Sequence, residues 1–425
     1  MTIQIKYLSY VAAACIALPY YSQLNLGKLK DKADKITSGT NNNTSTTNTK
    51  VDAPSGEKIY NPAKDPFKGS GNIITTIAGS GTGSEFGFKD GKGKDALFDH
   101  PEGLTCDESG NIYVADKLTN RIRKISPEGE VTTFAGSGDR NTKNGVGADA
   151  SFDQPFYIWY DGSKNFYVIE DRNNIRKINK EGKVSTVFKG QQYGGYTDGE
   201  IGDANFDKPI AIVTNSKSET LICDANNNCI RKISGGVVST LAGNKNAKLT
   251  YETQVKDGPG EKASFWNLRS MCIDKDDNLY VIDAARRIRK ITPDGTVSTL
   301  PFEELIKNTQ STYEIDDGNF HGVRDVGVFN KIGILSNGNF LISTEGGEMH
   351  EVSANVKEIK FVLTGKHCNT FKDSDYRNIV DAIDGEDCKG CTGSIVAKPF
   401  SISKDGKIYF TDGGLHCVRE IKLKK

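Results

Sequence analysis

The chain has 425 residues, and its 55 Lys and Arg balance its 55 Asp and Glu, for a formal net charge of zero. That balance argues against a nucleic-acid partner, because such binders carry a basic excess that displaces counterions from phosphates. Nine cysteines and five histidines are few enough to weigh one by one.

Residues 1–22 carry one lysine, Lys6, and then run apolar from Tyr7 to Tyr21. The run is short for a membrane helix, which needs ~20 residues, and predicts a secretory signal. Val11 to Cys15 also fits a lipoprotein cleavage site with Cys15 lipidated, although Ile16-Ala17-Leu18-Pro19 stays apolar where a mature lipoprotein turns polar. An uncleaved anchor is the third alternative. All three place the protein outside the cytoplasm (secreted, periplasmic or cell-surface), with membrane contact only through a retained N-terminal anchor. Residues 23–69 are rich in Lys, Asn, Thr and Ser, with Asn41 to Thr49 at the centre. Such a segment has too little apolar surface to build a core and reads as a flexible tether.

From residue 70 to 425 one sentence of residues recurs. It opens on Phe98-Asp99-His100-Pro101-Glu102-Gly103-Leu104 and continues through Gly110-Asn111-Ile112-Tyr113-Val114-Ala115-Asp116. Arg121-Ile122-Arg123-Lys124-Ile125 follows, and Val131-Thr132-Thr133-Phe134-Ala135-Gly136 closes it. The tetrad ending in Asp116 returns with Glu170, Asp224, Asp283, Glu345 and Asp412 as its last residue, roughly 54 to 67 residues apart. Short runs of Val, Ile, Thr and Tyr between Gly, Asn and Asp read as strands joined by tight turns. Each unit supplies four strands, and no stretch has a helical period. Asp90-Gly91, Asn144-Gly145, Asp198-Gly199 and Asp257-Gly258 open a second repeated phrase in the loops between units. The sixth unit has three strands; Ile73 to Gly79 matches Val131 to Gly136 and precedes the first unit. An N-terminal strand that completes the last blade would close the ring and remove its edges.

This wording resembles the NHL repeat, over about residues 70–425. The resemblance is specific in units one to four and degraded in unit five, where Met349-His350-Glu351-Val352 stands for Ile-Arg-Lys-Ile. It implies an all-β, six-bladed propeller. It implies no single function, since members include RNA-binding regulators, extracellular sensors, scaffolds and a few lyases.

The recurring carboxylates are expected to be structural, because a catalytic group is not needed in every blade; a ring of them holding a cation is the alternative. The recurring Arg123, Arg176, Arg231, Arg289 and Arg419 are expected on a solvated outer strand face. Phe98, Phe152, Phe206 and Phe265 repeat and are expected to pack blades together. Gly79-Ser80-Gly81-Thr82-Gly83 lacks the following helix of a dinucleotide loop and reads as a turn.

Cys223 and Cys229 flank one hairpin turn, and Cys368, Cys388, Cys391 and Cys417 gather near one face. These six are expected to form disulfides. Zinc at His367-Cys368 and Cys388-x-x-Cys391 is the rival. Cys106 and Cys272 are expected as buried free thiols.

No cofactor is expected; zinc or calcium is the alternative. His100, His321 and His416 fall near one face, where a few lyases of this fold hold a metal triad, but His100 occupies a slot filled elsewhere by Gln154, Lys208, Asn267 and Lys398. The non-repeating Tyr193, Tyr196, Trp266, His321 and Arg324 are the better candidates, since recognition concentrates on loops held by a rigid scaffold. The expected function is a binding scaffold for a protein, peptide or glycan through the loop face. The alternative is a metal-dependent lyase or lactonase at the channel mouth.

Overall fold

The computed structural model describes residues 72–423, apart from 83, 192–193, 248–254, 285, 303, 306–327, 346, 364–384 and 387–398. Residues 1–69, expected as a signal and a tether, and Cys368, Cys388 and Cys391 therefore lie outside the described residues.

Six antiparallel sheets follow one another along the chain, and each is one blade. Blade one is Pro101–Cys106, Ile112–Asp116, Arg121–Ile125 and Glu130–Ala135, hydrogen-bonded in that order. Blades two to five begin at Pro155–Tyr160, Pro209–Thr214, Ser270–Ile273 and Phe329–Ile334 and repeat the meander. Blade six is Phe400–Ile402, Ile408–Asp412 and Cys417–Lys422, completed by Ile73–Ala78 from the other end of the repeat region. Ile74 faces Ile421 and Thr76 faces Arg419 in that pairing. The expected closing strand is in place, and the molecule is a six-bladed β-propeller.

Five sheets carry one more strand than expected, a two-residue piece on the outer edge. In blade one it is Gly91–Lys92, where Gly91 faces Val131 and Lys92 faces Glu130. The Asp-Gly or Asn-Gly phrase before each of blades one to four thus leads into that blade's outermost strand. A tight three-residue helical turn follows it in blades one, two and four, for example Gly93–Asp95.

The core lies between blades. Phe98, Phe152, Phe206 and Phe265 are fully buried, each contributing about 1.5–3 kcal/mol by leaving water. One cluster joins Leu221, Ile230 and Ala242 of blade three to Phe265, Met271 and Val281 of blade four. Glycines close the outer strands where nothing else fits: Gly243, at φ +102°, would bring a Cβ within 2.5 Å of the Asn228 carbonyl oxygen. Gly79 stands the same way against His416 at the ring closure, with φ +95°. Gly79 to Thr82 is a turn, as expected.

Candidate functional site

The recurring carboxylates and arginines meet each other. Arg123 is fully buried and donates to Asp116 at 3.2 Å, Asp90 at 2.6 Å, and the carbonyls of Leu97 and Lys89 at 2.9 and 3.0 Å. Arg176 does the same with Glu170, Asn144 and the carbonyls of Ser151 and Lys143. Arg231 takes Asp224, Asp198 and the carbonyls of Asn205 and Thr197. Arg289 takes Asp283, Asp257 and the carbonyls of Ser264 and Lys256. Each guanidinium ties one blade to the loop that leads into it. The carboxylates also accept backbone N–H bonds, as from Asp99 to Asp116 at 2.8 Å and from Asp207 to Asp224 at 2.8 Å. Burial pulls Asp116 and Asp224 up to about 6 and Glu170 to about 7, against the donors that favour their charge.

Two expectations need correction here. The arginines, Arg419 included, are not on a solvated face but fully buried, and in blades one to four each has a carboxylate to neutralise it. Glu345 does not occupy the carboxylate slot: strand pairing puts Thr344 opposite Phe329, as Asp116 is opposite Pro101, and Glu345 is exposed. Blade five thus replaces the acid by Thr344 and the arginine by His350, both buried. The structural role of the acids in blades one to four is borne out.

A second repeat joins neighbouring blades. Asn120 Oδ1 accepts the Gln154 N–H at 3.0 Å, Asn173 Oδ1 that of Lys208 at 2.9 Å, and Asn228 Oδ1 that of Asn267 at 3.0 Å. All six residues have φ between +50° and +65°, a region that Asn tolerates best among non-glycine residues. At the closure between blades six and one the latch is made by histidines. His416 Nδ1 accepts the His100 N–H at 3.2 Å, with φ of +51° and +52°. His100 Nδ1 also lies 2.8 Å from Asp99 Oδ1, and the His416 ring stacks on Phe86. Burial lowers the His416 pKa, and the neighbouring His100 adds to this while Asp99 opposes it.

The structure therefore brings His100 and His416 together with Asp99, all ligand atoms within 4.8 Å of one another. His321 lies outside the described residues, as do Tyr193 and Arg324. Asp99, His100 and His416 have the donor types for zinc, although His416 Nδ1 is already engaged by the latch.

Tyr196 and Trp266 are both described. The Tyr196 ring lies under Arg231 at 4.2 Å and under Lys245 at 3.6 Å, and its hydroxyl meets Thr240, so the side chain belongs largely to the arginine network. Trp266 fills the slot held by Asp99, Asp153 and Asp207 in the first three blades. Its N–H still donates to Asp283 at 2.7 Å, and its side chain is partly exposed. Beside it, Arg269 of blade four pairs with Glu345 of blade five.

Just below this face the channel is narrow. Lys331 and Tyr157 occupy the same level of their inner strands, opposite Ser343 and Ile169. They come from blades two and five, which stand opposite in a ring of six, yet the Lys331 ammonium is 5.6 Å from the Tyr157 ring. Phe400 of blade six lies 5.8 Å from the same ammonium. Sequence reading missed this group, since nothing local marks Lys331 as different from other strand residues.

The expected Cys223–Cys229 disulfide does not form. Cys223 is opposite Ile230 and Cys229 opposite Asp224, so the two side chains leave opposite faces of the sheet, and both thiols are free and buried. Cys106 and Cys272 are free as expected, Cys106 only partly buried. Cys417 is buried, and its expected partners lie outside the described residues.

No family model matches the chain. NHL repeat-containing protein 2 of Bos taurus is 34% identical over 110 residues, covering 24% of this chain and 15% of that protein. The repeats of this six-bladed propeller are thus similar to those of an NHL repeat-containing protein. Protein SUPPRESSOR OF QUENCHING 1, chloroplastic, of Arabidopsis thaliana is 30% identical over 92 residues, 21% of this chain and 9% of that one. The match thus spans a small part of either relative's length. A solved structure of a protein of unknown function from Bacteroides thetaiotaomicron shares the propeller fold, with a TM-score of 0.54 at 14% identity over 83% of this chain and 76% of that one.

Proposed function

We propose that this NHL-type propeller is an exported binding scaffold that holds a protein, peptide or glycan on its loop face. Trp266 carries the reading. In its slot the structural task is done by the backbone N–H, and blade four uses the side chain position for a partly exposed aromatic instead of an acid. Trp is among the residue types enriched at interface anchors, and Arg269, three residues on, pairs with Glu345 of the next blade. Export rests on the apolar run from Tyr7 to Tyr21 and the polar segment after it. A peptide display library and a glycan array, each screened with wild type and with Trp266→Ala, test the proposal. Binders lost or weakened at least tenfold in the variant support it; binders indifferent to the change, or none, sink it.

The alternative, a metal-dependent lyase or lactonase at the channel mouth, has the Asp99, His100 and His416 cluster in its favour. Elemental analysis of protein purified without chelator tests it. Stoichiometric zinc or calcium that disappears in His100→Gln would support it, and a metal-free protein would end it.

A further inference from the structure

The four described Arg–carboxylate networks show how this molecule treats a buried cation: each guanidinium faces a carboxylate and two carbonyls. Lys331 breaks that pattern. Its ammonium faces the rings of Tyr157 and Phe400, and among the described residues it has no hydrogen-bond acceptor and no carboxylate. The Tyr157 hydroxyl is turned away, donating to the Ile212 carbonyl at 3.0 Å. The other polar group nearby is the Cys272 thiol, which burial holds in its protonated, uncharged form. The inner strands pack closely here: a Cβ on Gly103 would meet the Phe156 carbonyl oxygen at 2.8 Å, and one on Gly333 the Phe400 ring at 2.8 Å.

An unpaired ammonium in such a place is costly unless it is neutralised or given a counter-charge. Burial accordingly brings the Lys331 amine down from 10.5 to about 8, so at neutral pH most copies still carry the charge. Lys331 as a residue nonetheless remains partly exposed. The positive charge faces rings contributed by blades two and six and meets no carboxylate among the described residues, which leaves it available to the carboxylate of a ligand.

We propose that Lys331, Tyr157 and Phe400 form a small-molecule site in the throat of the propeller, in which Lys331 pairs with a carboxylate on the ligand. Tyr157, partly exposed beside the ammonium, lies next to the group that carries the carboxylate; Phe400 is buried and backs the lysine, which supplies the orientation. This site is distinct from a macromolecular surface at Trp266 and stands whether or not that surface is used.

Benzoate, a planar aromatic carboxylate, is the probe. The full chain is acetylated at trace level with acetic anhydride across a pH series, with and without benzoate, and each lysine peptide is quantified by mass spectrometry. Lys275, with 88% of its side chain exposed, serves as the internal reference. Benzoate is expected to slow Lys331 acetylation saturably, by about tenfold near saturation, and to leave Lys275 unchanged. Gluconate and a dipeptide with a free C-terminus, tested beside it, separate a sugar acid from a peptide as the natural source. Lys331→Met should fold at least as stably as wild type and lose saturable binding of fluorobenzoate followed by fluorine NMR. Protection by none of these carboxylates, protection by inorganic phosphate alone, or unaltered fluorobenzoate binding in Lys331→Met would overturn the proposal.

Discussion

Replacing Arg123 by Met tests the reading of the buried networks most directly. The change removes the donors to Asp116, Asp90, Leu97 and Lys89, while Asp116 keeps the Asp99 N–H at 2.8 Å. Met fills much of the stem volume, so the loss is mainly that of a counter-charge to a carboxylate with no exposure. Removing one partner of such a pair costs about 3–5 kcal/mol. Blade five fills the corresponding slots with Thr344 and His350 instead. Asp116→Thr with Arg123→His together should therefore cost at least about 2 kcal/mol less than the sum of the two single changes, a coupling within the range for contacting residues. Urea unfolding monitored by the fluorescence of the two tryptophans, Trp159 and Trp266, reads this out, provided the denaturant slope is shared by all variants. Additive losses in the double variant, or an Arg123→Met protein within about 1 kcal/mol of wild type, a loss no larger than an ordinary hydrogen bond, would refute the argument.

The histidine latch predicts an acid-sensitive closure. His416 Nδ1 accepts a hydrogen bond only when unprotonated, and its pKa is lowered in the fold. Below about 6.5 the unfolded chain therefore takes up a proton that the folded one resists, and stability falls as pH drops. His416→Asn copies the amide of the other three described latches, so wild type should lose ~0.5–1.5 kcal/mol relative to this variant between pH ~7 and ~5. An unfolding difference that stays constant over that range would remove the claim. The free thiols predict labelling behaviour: Cys223, Cys229 and Cys272 should resist an aqueous thiol reagent in the native protein and react on denaturation without reductant. Rapid native labelling of Cys223, or its protection after unfolding, would contradict the strand register.

Some of the arginine network was visible in the chain before folding. Acid and arginine recur together in blades one to four; in blade five the arginine is missing from the sequence, whereas the loss of the acid shows only in the strand register, because Glu345 stands next to the slot. That joint recurrence is a sign of contact, whereas a basic surface stripe has no reason to vary with the acids. The Asp90-type residue was legible as part of a repeated phrase, but its role was not, because the strand it leads into is two residues long. The disulfide error came from sequence distance: six residues across a turn looks suitable, yet a one-residue offset in register sends the two side chains to opposite faces.

Blade number, strand order and ring closure were determined by the sequence alone, because they follow from local alternation, turn residues and repetition, each visible within a few tens of residues. What only the tertiary structure decided are the meetings across the ring. His100 and His416 are 316 residues apart and share one hydrogen bond. Lys331 and Tyr157 lie on opposite blades and meet only when six inner strands converge on one axis. A repeat dictates its own packing, but the residues that depart from it acquire meaning only from what closure of the ring sets beside them.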